Sequence, residues 1–290
     1  MIFVGGGRRF FARAGSGFLF GMAILFTLPE KAIAADWFAA ERTPELVAVV
    51  VCAIAILVSV YAARRRRFYV RPLAGLTAID DALGRATELG SPVVYITGWG
   101  GDLARPTTMA SLAILSHIAE RVAAYGTRIL FPSHDPMVAS AAQDTIRQGY
   151  MKAGRPELFR AEDVAFVTQS QLGYAAAVDG IMSREKPGAV FLLGTFEGEA
   201  LILAETAHNV GAVQISGTDS TIQLSFFLVA CDYTLIGEEL FAASGYISGD
   251  PLILGAVRGQ DILKIIIVAL LLLGVLLGGF GVDVIADWLS

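Results

Sequence analysis

Cysteine is almost missing from this chain. Cys52 and Cys231 are the only two, one inside a long apolar run and the other far downstream. Their number and placement exclude a disulfide framework and a thiolate metal site. Complete catalytic signatures are missing as well: there is no Walker-type phosphate loop, no His-Glu-x-x-His and no Gly-x-Ser-x-Gly. Gly98-Trp99-Gly100-Gly101-Asp102-Leu103 begins like a dinucleotide fingerprint but lacks the last glycine. The absence of internal repeats and of low-complexity tracts argues against a solenoid. Positive charge is scarce in the middle, where residues 72–257 hold 10 Lys/Arg against 20 Asp/Glu. Such a body is repelled by nucleic acid and by anionic lipid, so no nucleic-acid partner is expected.

Charge is absent altogether from Leu46–Ala63 and from Ile265–Val282, 18 residues each, in a chain that is 55% hydrophobic. At about 1.5 Å per residue each run covers roughly 27 Å, close to the ~30 Å hydrocarbon core, and both are expected to be transmembrane helices. The first 35 residues differ. Arg8, Arg9 and Arg13 precede a short apolar stretch, Phe18–Leu28, and Ala32-Ile33-Ala34-Ala35 follows. This reads as a signal-like segment, with a short retained first span as the alternative. Arg8-Arg9-Phe10-Phe11-Ala12-Arg13 also loosely resembles a twin-arginine signal.

Arg64, Arg65, Arg66 and Arg67 stand directly behind the first run, and Arg71 adds to them. One Arg at the bilayer centre costs about 2.5–3.5 kcal/mol, so this cluster is expected to stay in the cytoplasm. Arg258 and Lys264 precede the second run and point the same way. The expected layout is a signal-like or transmembrane segment (1–35), an exported loop (36–45), a transmembrane helix (46–63), a cytoplasmic domain (64–262), a second transmembrane helix (263–282) and an exported tail (283–290). The protein would sit in the inner (cytoplasmic) membrane with its basic necks at the lipid headgroups. Ala55, Ser59 and Ala63 recur every four residues in the first run, as do Gly274 and Gly278 in the second. Small residues at this interval let helix backbones approach, within one chain or between two. Neither run carries a charge, and transport by these helices is therefore not expected.

Between the runs, apolar segments alternate in kind. Short continuous ones (93–96, 128–131, 164–167, 189–193 and 212–215) read as buried strands. Residues 72–89, 107–125, 136–153, 171–186, 197–209 and 221–246 read as helices, the last with Gly237 as a candidate break. Asp135-Pro136 is a helix start, with Asp as N-cap and Pro at N1. Residues 251–257 read as a last strand or an extended lead into the membrane. Strand and helix alternating at this pitch give an α/β domain, a Rossmann-like doubly wound and mostly parallel sheet of about five strands.

Ligands in such sheets bind beyond the carboxyl ends of the strands. Asp102, His134, Asp135, Gln169, Glu197, Glu199 and Asp219 all fall there. They are the candidate ligand-binding residues, and hard cations such as Mg²⁺ or Ca²⁺ suit their carboxylates. The competing reading is that Asp135, Asp219 and Glu197 only cap helices. Glu205-Thr206-Ala207-His208 is a single Glu-x-x-His, whereas a di-iron bundle needs two. His117 falls off the apolar face of its helix and reads as solvated.

Five blocks, RPLAGLTAID (71–80), AAAVDGIMSREKPG (175–188), ALILAET (200–206), GAVQISGT (211–218) and ACDYTLIGEELFAAS (230–244), resemble a family of prokaryotic membrane-anchored proteins described only as a domain of unknown function. The resemblance covers the cytoplasmic domain, about two-thirds of the chain. It implies no activity, cofactor or catalytic residue, and a small residue is expected where His208 stands. The expected function is a non-catalytic binding or assembly protein, partnering the bilayer and either itself as a homo-oligomer or other membrane proteins. The alternative is a small-molecule or divalent-cation binding domain, with or without enzyme activity, that uses the strand-end carboxylates.

Overall fold

The computed structural model describes residues 42–65 and 74–279. The signal-like segment, most of the exported loop, Arg66, Arg67, Arg71 and the tail lie outside the described residues. By internal contacts the chain divides into two units. One gathers the residues up to Val58 and from Gly259 onward, and the other is Ser59–Arg258.

The Ser59–Arg258 unit is built on six parallel strands: β1 (Val93–Ile96), β2 (Ile129–Ser133), β3 (Val164–Phe166), β4 (Ala189–Leu193), β5 (Val213–Thr218) and β6 (Tyr233–Ile236). Their order across the sheet is β3-β2-β1-β4-β5-β6. β1, β2 and β4 are buried along their whole length, which is why they read as unbroken apolar runs.

Alternation sorts the strand side chains into two cores. Val93, Tyr95, Ile129, Phe131, Phe191, Leu193 and Ile215 face α2 (Ala74–Glu88), α3 (Pro106–Tyr125), α4 (Pro136–Lys152) and α8 (Glu239–Ser248). Val94, Ile96, Leu130, Val190 and Leu192 face α5 (Gln171–Glu185), α6 (Ala200–Asn209) and α7 (Thr221–Ala230). The unit is therefore three layers, helices on both faces of one sheet. Tyr95 marks its centre. Its ring stacks 5.9 Å from both Phe131 and Phe191, and its hydroxyl donates to the Ser111 carbonyl at 2.7 Å. Burial pushes this phenol far above its ordinary pKa, so it stays a neutral donor.

The sheet holds one strand more than the pattern predicts. Residues 221–246 are not one helix but α7, β6 and α8. The run 226–236 is nearly all apolar, and periodicity there does not separate helix from strand. A long-range bond makes the break: the Asp232 carboxylate accepts from Gln214 N at 2.8 Å and sets the start of β6 beside β5. Residues 251–257 are not a strand either; they are the first turns of α9 (Pro251–Gly279). Asp250-Pro251 starts this helix as Asp135-Pro136 starts α4, with the Asp250 carboxylate accepting from Leu252 N at 2.8 Å.

Two helices are long and apolar enough to cross a membrane, α1 (Thr43–Arg65) through its residues Pro44–Arg65, and α9. Leu57, Val58, Leu271 and Val275 are exposed on them, apolar surface that water solvates poorly. On α1 the spacing of small residues coincides with burial: Ala55, Ser59 and Ala63 are its buried positions. Within the Ser59–Arg258 unit, α1 ends against the start of α9 at Gly255, whose missing Cβ would lie 2.5 Å from Val60 Cα. Gly274 is half-buried and Gly278 exposed.

Gly255→Ala should push these two helix ends apart. The expected cost is about 1–3 kcal/mol of overpacking, read as a lower Tm of the detergent-solubilised chain. Gly279→Ala, where nothing lies within 4 Å, should leave the Tm unchanged.

Candidate functional site

The strand order reverses between β1 and β4, and in open α/β sheets that is the place where the two following loops part and leave a crevice. Here the loops do not part. Thr195 N donates to the Thr97 carbonyl at 3.1 Å, and Gly100 N donates to the Thr195 carbonyl at 3.1 Å. Two glycines permit this approach. Gly98, at φ +80°, lies where any Cβ would run into the Thr195 carbonyl, and a Cβ on Gly194 would run into the Thr97 carbonyl. The crevice at the switch point is filled by the chain's own backbone.

Glu199 completes the closure. It is only 1% exposed. One oxygen, Oε1, accepts from Trp99 N at 2.8 Å, while Oε2 accepts from Gln171 Nε2 at 3.0 Å, and Glu197 N donates to both oxygens at 3.3 Å. The Trp99 indole donates from Nε1 to the Gln169 carbonyl at 2.9 Å. Loops after β1, β3 and β4 are thus tied through one buried carboxylate and one indole.

The remaining sequence candidates are dispersed along this edge. Asp135 caps α4, its Oδ1 accepting from Met137 N at 2.6 Å and Val138 N at 2.9 Å. Asp102 accepts from Arg105 N at 3.0 Å and shapes the turn before α3. Asp219 does not cap α7, where Ser220 does so. It reaches instead to the first turn of α3 and accepts from Thr107 Oγ1 at 2.7 Å. Gln169 contributes its backbone carbonyl, and Glu197 its backbone N–H. Among the described residues no group of three or more His, Cys, Asp or Glu is placed to share a metal ion. Two shallow cavities of about 540 and 420 Å³ lie elsewhere, both along α2.

Sequence reasoning passed over Thr97, Trp99 and Thr108. The buried polar side-chain atoms without a partner among the described residues are Thr97 Oγ1, Thr108 Oγ1 and His134 Nδ1, and all three sit at this edge. Thr97 directly follows β1 and Thr108 lies in the first turn of α3, so only the threonine at each position signals them. The His134 ring lies 6.0 Å from Trp99 and edge-on to Tyr174 at 5.8 Å. Burial lowers the pKa of His134 against the opposing pull of Asp135, Glu199, the Gly98 carbonyl and Asp102. His117, expected to be solvated, is half-buried. Its pKa is lowered too, by burial and then by Arg121.

Of the basic necks, Arg64 and Arg65 are exposed, with the Arg65 guanidinium 4.8 Å over the Tyr61 ring. Arg258 is half-buried, and Lys264 pairs with Asp261 at 3.8 Å.

Comparison with family models matches residues 33–289 to a domain of unknown function (DUF6754). The match therefore takes in both apolar helices as well as the α/β body. Comparisons with curated proteins and with solved structures returned no match.

Glu199→Gln turns an amide N–H₂ toward donors that need an acceptor. It should cost about 1–3 kcal/mol. A lower urea midpoint and a red-shifted Trp99 emission, in a Trp37→Phe/Trp288→Phe background, check this. At His134 the unfolded chain binds the proton below about 6.5 and the folded chain only at lower pH. Stability contributed by the neutral ring is thus full above that value and falls on acidification through the window beneath it. The Tm should drop between neutral pH and about pH 5, and less steeply in His134→Phe, with His117 supplying the residual slope.

Proposed function

We propose that the chain, which belongs to the DUF6754 family, is a membrane-tethered assembly protein rather than an enzyme. In this reading α1 and α9 cross the inner (cytoplasmic) membrane, and the Ser59–Arg258 body is a Rossmann-like scaffold on its cytoplasmic side. There it holds copies of itself, or other membrane proteins, at the bilayer. The observation that carries the reading is the closure at the switch point. A Rossmann-like sheet that worked on a small substrate would need a crevice between the β1 and β4 loops, and here Thr97, Gly100 and Thr195 bond across it. Orientation follows from charge. Arg64 and Arg65 end one apolar helix, Arg66 and Arg67 follow in sequence, Arg258 and Lys264 lie in the other helix, and keeping all six out of the hydrocarbon would put both necks on the same, cytoplasmic side.

A second reading has one observation in its favour. Thr97 Oγ1, Thr108 Oγ1 and His134 Nδ1, along the carboxyl edge of the sheet, are buried without partners among the described residues, and buried polar atoms demand partners. A polar small molecule bound at that edge would supply a partner to those it reached.

Three measurements test these readings. A membrane-impermeant thiol reagent applied to intact cells should leave Cys231 unlabelled until the membrane is opened; labelling from outside would reverse the topology. Native mass measurement of the full chain in mild detergent should show more than one copy. A panel of Mg²⁺, Ca²⁺ and nucleotides should leave the Tm in place, whereas a rise abolished by Thr108→Val would favour the second reading.

A further inference from the structure

Two aromatic walls enclose the His134 ring. Trp99 lies 6.0 Å from it on one side, and Tyr174 stands edge-on at 5.8 Å on the other. The walls differ in what holds them. Tyr174 is fully buried on α5, and its hydroxyl donates to the Pro132 carbonyl at 3.2 Å, so it cannot move without opening the core. Trp99 is half-buried and rides on a loop with glycine at 98, 100 and 101. That loop is a strap over the edge of the sheet. It is tied by Trp99 N to Glu199 at 2.8 Å, by the indole to the Gln169 carbonyl at 2.9 Å, and by Gly100 N to the Thr195 carbonyl at 3.1 Å. Glycines on both sides of Trp99 can absorb the backbone rotation that lifting it requires. Of the two walls, Trp99 is the movable one.

The ring itself has an unmade bond. His134 Nδ1 is buried without a partner among the described residues. In a neutral ring that atom can be a bare acceptor. In a protonated ring it is a charged donor, and a buried charged donor without an acceptor costs far more. We propose that the Trp99 strap is an acid-released latch: protonation of His134 lifts Trp99 off the ring, lets water reach Nδ1, and unties Gly100 from Thr195 across the switch point. Burial holds the ring's pKa below its ordinary value, against the pull of Asp135 at the start of α4, Glu199 on the β4 loop, the Gly98 carbonyl and Asp102 on the strap. Tyr174, the other titratable group on the ring, stays neutral because burial pushes its pKa up, with Glu199 adding to the shift. With the strap lifted the ring is hydrated and regains a pKa near 6.5. The ratio of lifted to closed strap then rises by up to about tenfold per pH unit, from about 6.5 down to the pKa of the closed form. Cation–π attraction to Trp99 would act the other way and tighten the strap. The latch bears on the second reading above, whose ligand would bind at this edge, but its motion needs no ligand.

Hydrogen exchange of the full chain in mild detergent, without added ligand, tests this in steps from about pH 7.5 to about pH 5. Rates are corrected for the intrinsic effect of pH and read as protection of residues 98–101, with β4 as the internal reference. Protection of the strap should fall by about threefold or more across this range while β4 keeps its own. The fall should vanish in both His134→Phe and His134→Gln, two variants that fill the site differently and carry no titrating ring, and it should persist in His117→Phe. Strap protection that stays constant overturns the latch, and so does protection that rises on acidification, which would mean that cation–π attraction wins. A fall shared equally by β4 is global acid destabilisation and also overturns it, as does a fall that survives both His134 variants. None of these outcomes touches ligand binding at the edge, which the Tm panel above decides.

Discussion

A buried carboxylate has to find donors, and the way Glu199 finds them organises the whole carboxyl edge of the sheet. With almost no contact with water it cannot rely on solvation. Its partners are backbone N–H groups from the β1 and β4 loops and the Gln171 amide from α5. Each donor comes from a different part of the edge, so satisfying one charge draws three segments together. The Thr97–Thr195–Gly100 backbone bonds and the Trp99–Gln169 bond then complete a closed surface. A fold whose usual opening lies at this place has here been given a lid made of its own loops.

Carboxylates that look like a cluster in the sequence serve local ends: Asp135 caps α4, Asp102 fixes a turn, and Asp219 holds the first turn of α3. What remains unaccounted for by internal bonding is apolar rather than acidic, namely α7 and the two long helices. Lipid can cover the long ones. α7 is too short to span a bilayer at about 1.5 Å per residue.

Much of the fold was legible in residue order because its parts are bounded by strong local chemistry. Asp135-Pro136 begins α4 where an N-cap and a following proline predict it, and Gly126 ends α3 in the left-handed conformation. Buried strands such as VVYI and AVFLL announce themselves by unbroken apolarity. β6 was not legible. YTLI follows an uncharged helix whose second half is apolar, and its identity depends on Asp232 reaching Gln214, 18 residues away in the chain. The site was legible only as an address. Position along the strands gives the edge, but Gln169 and Glu197 use backbone groups there, and Trp99 and Thr108 carry no signal until the loops are folded over them.

Residue order alone determined the α/β alternation, the two apolar helices with arginines at the neck of the first, and the absence of any complete catalytic motif. Periodicity, hydropathy and charge act over a few residues, and sequence records them directly. Only the tertiary structure decided that the β1 and β4 loops close on each other, that Glu199 ties them together, and that Ile222 and Val229 of α7 are exposed. Those outcomes depend on which backbone donors lie within about 3 Å of an acceptor once distant segments have packed, and no local pattern encodes that distance.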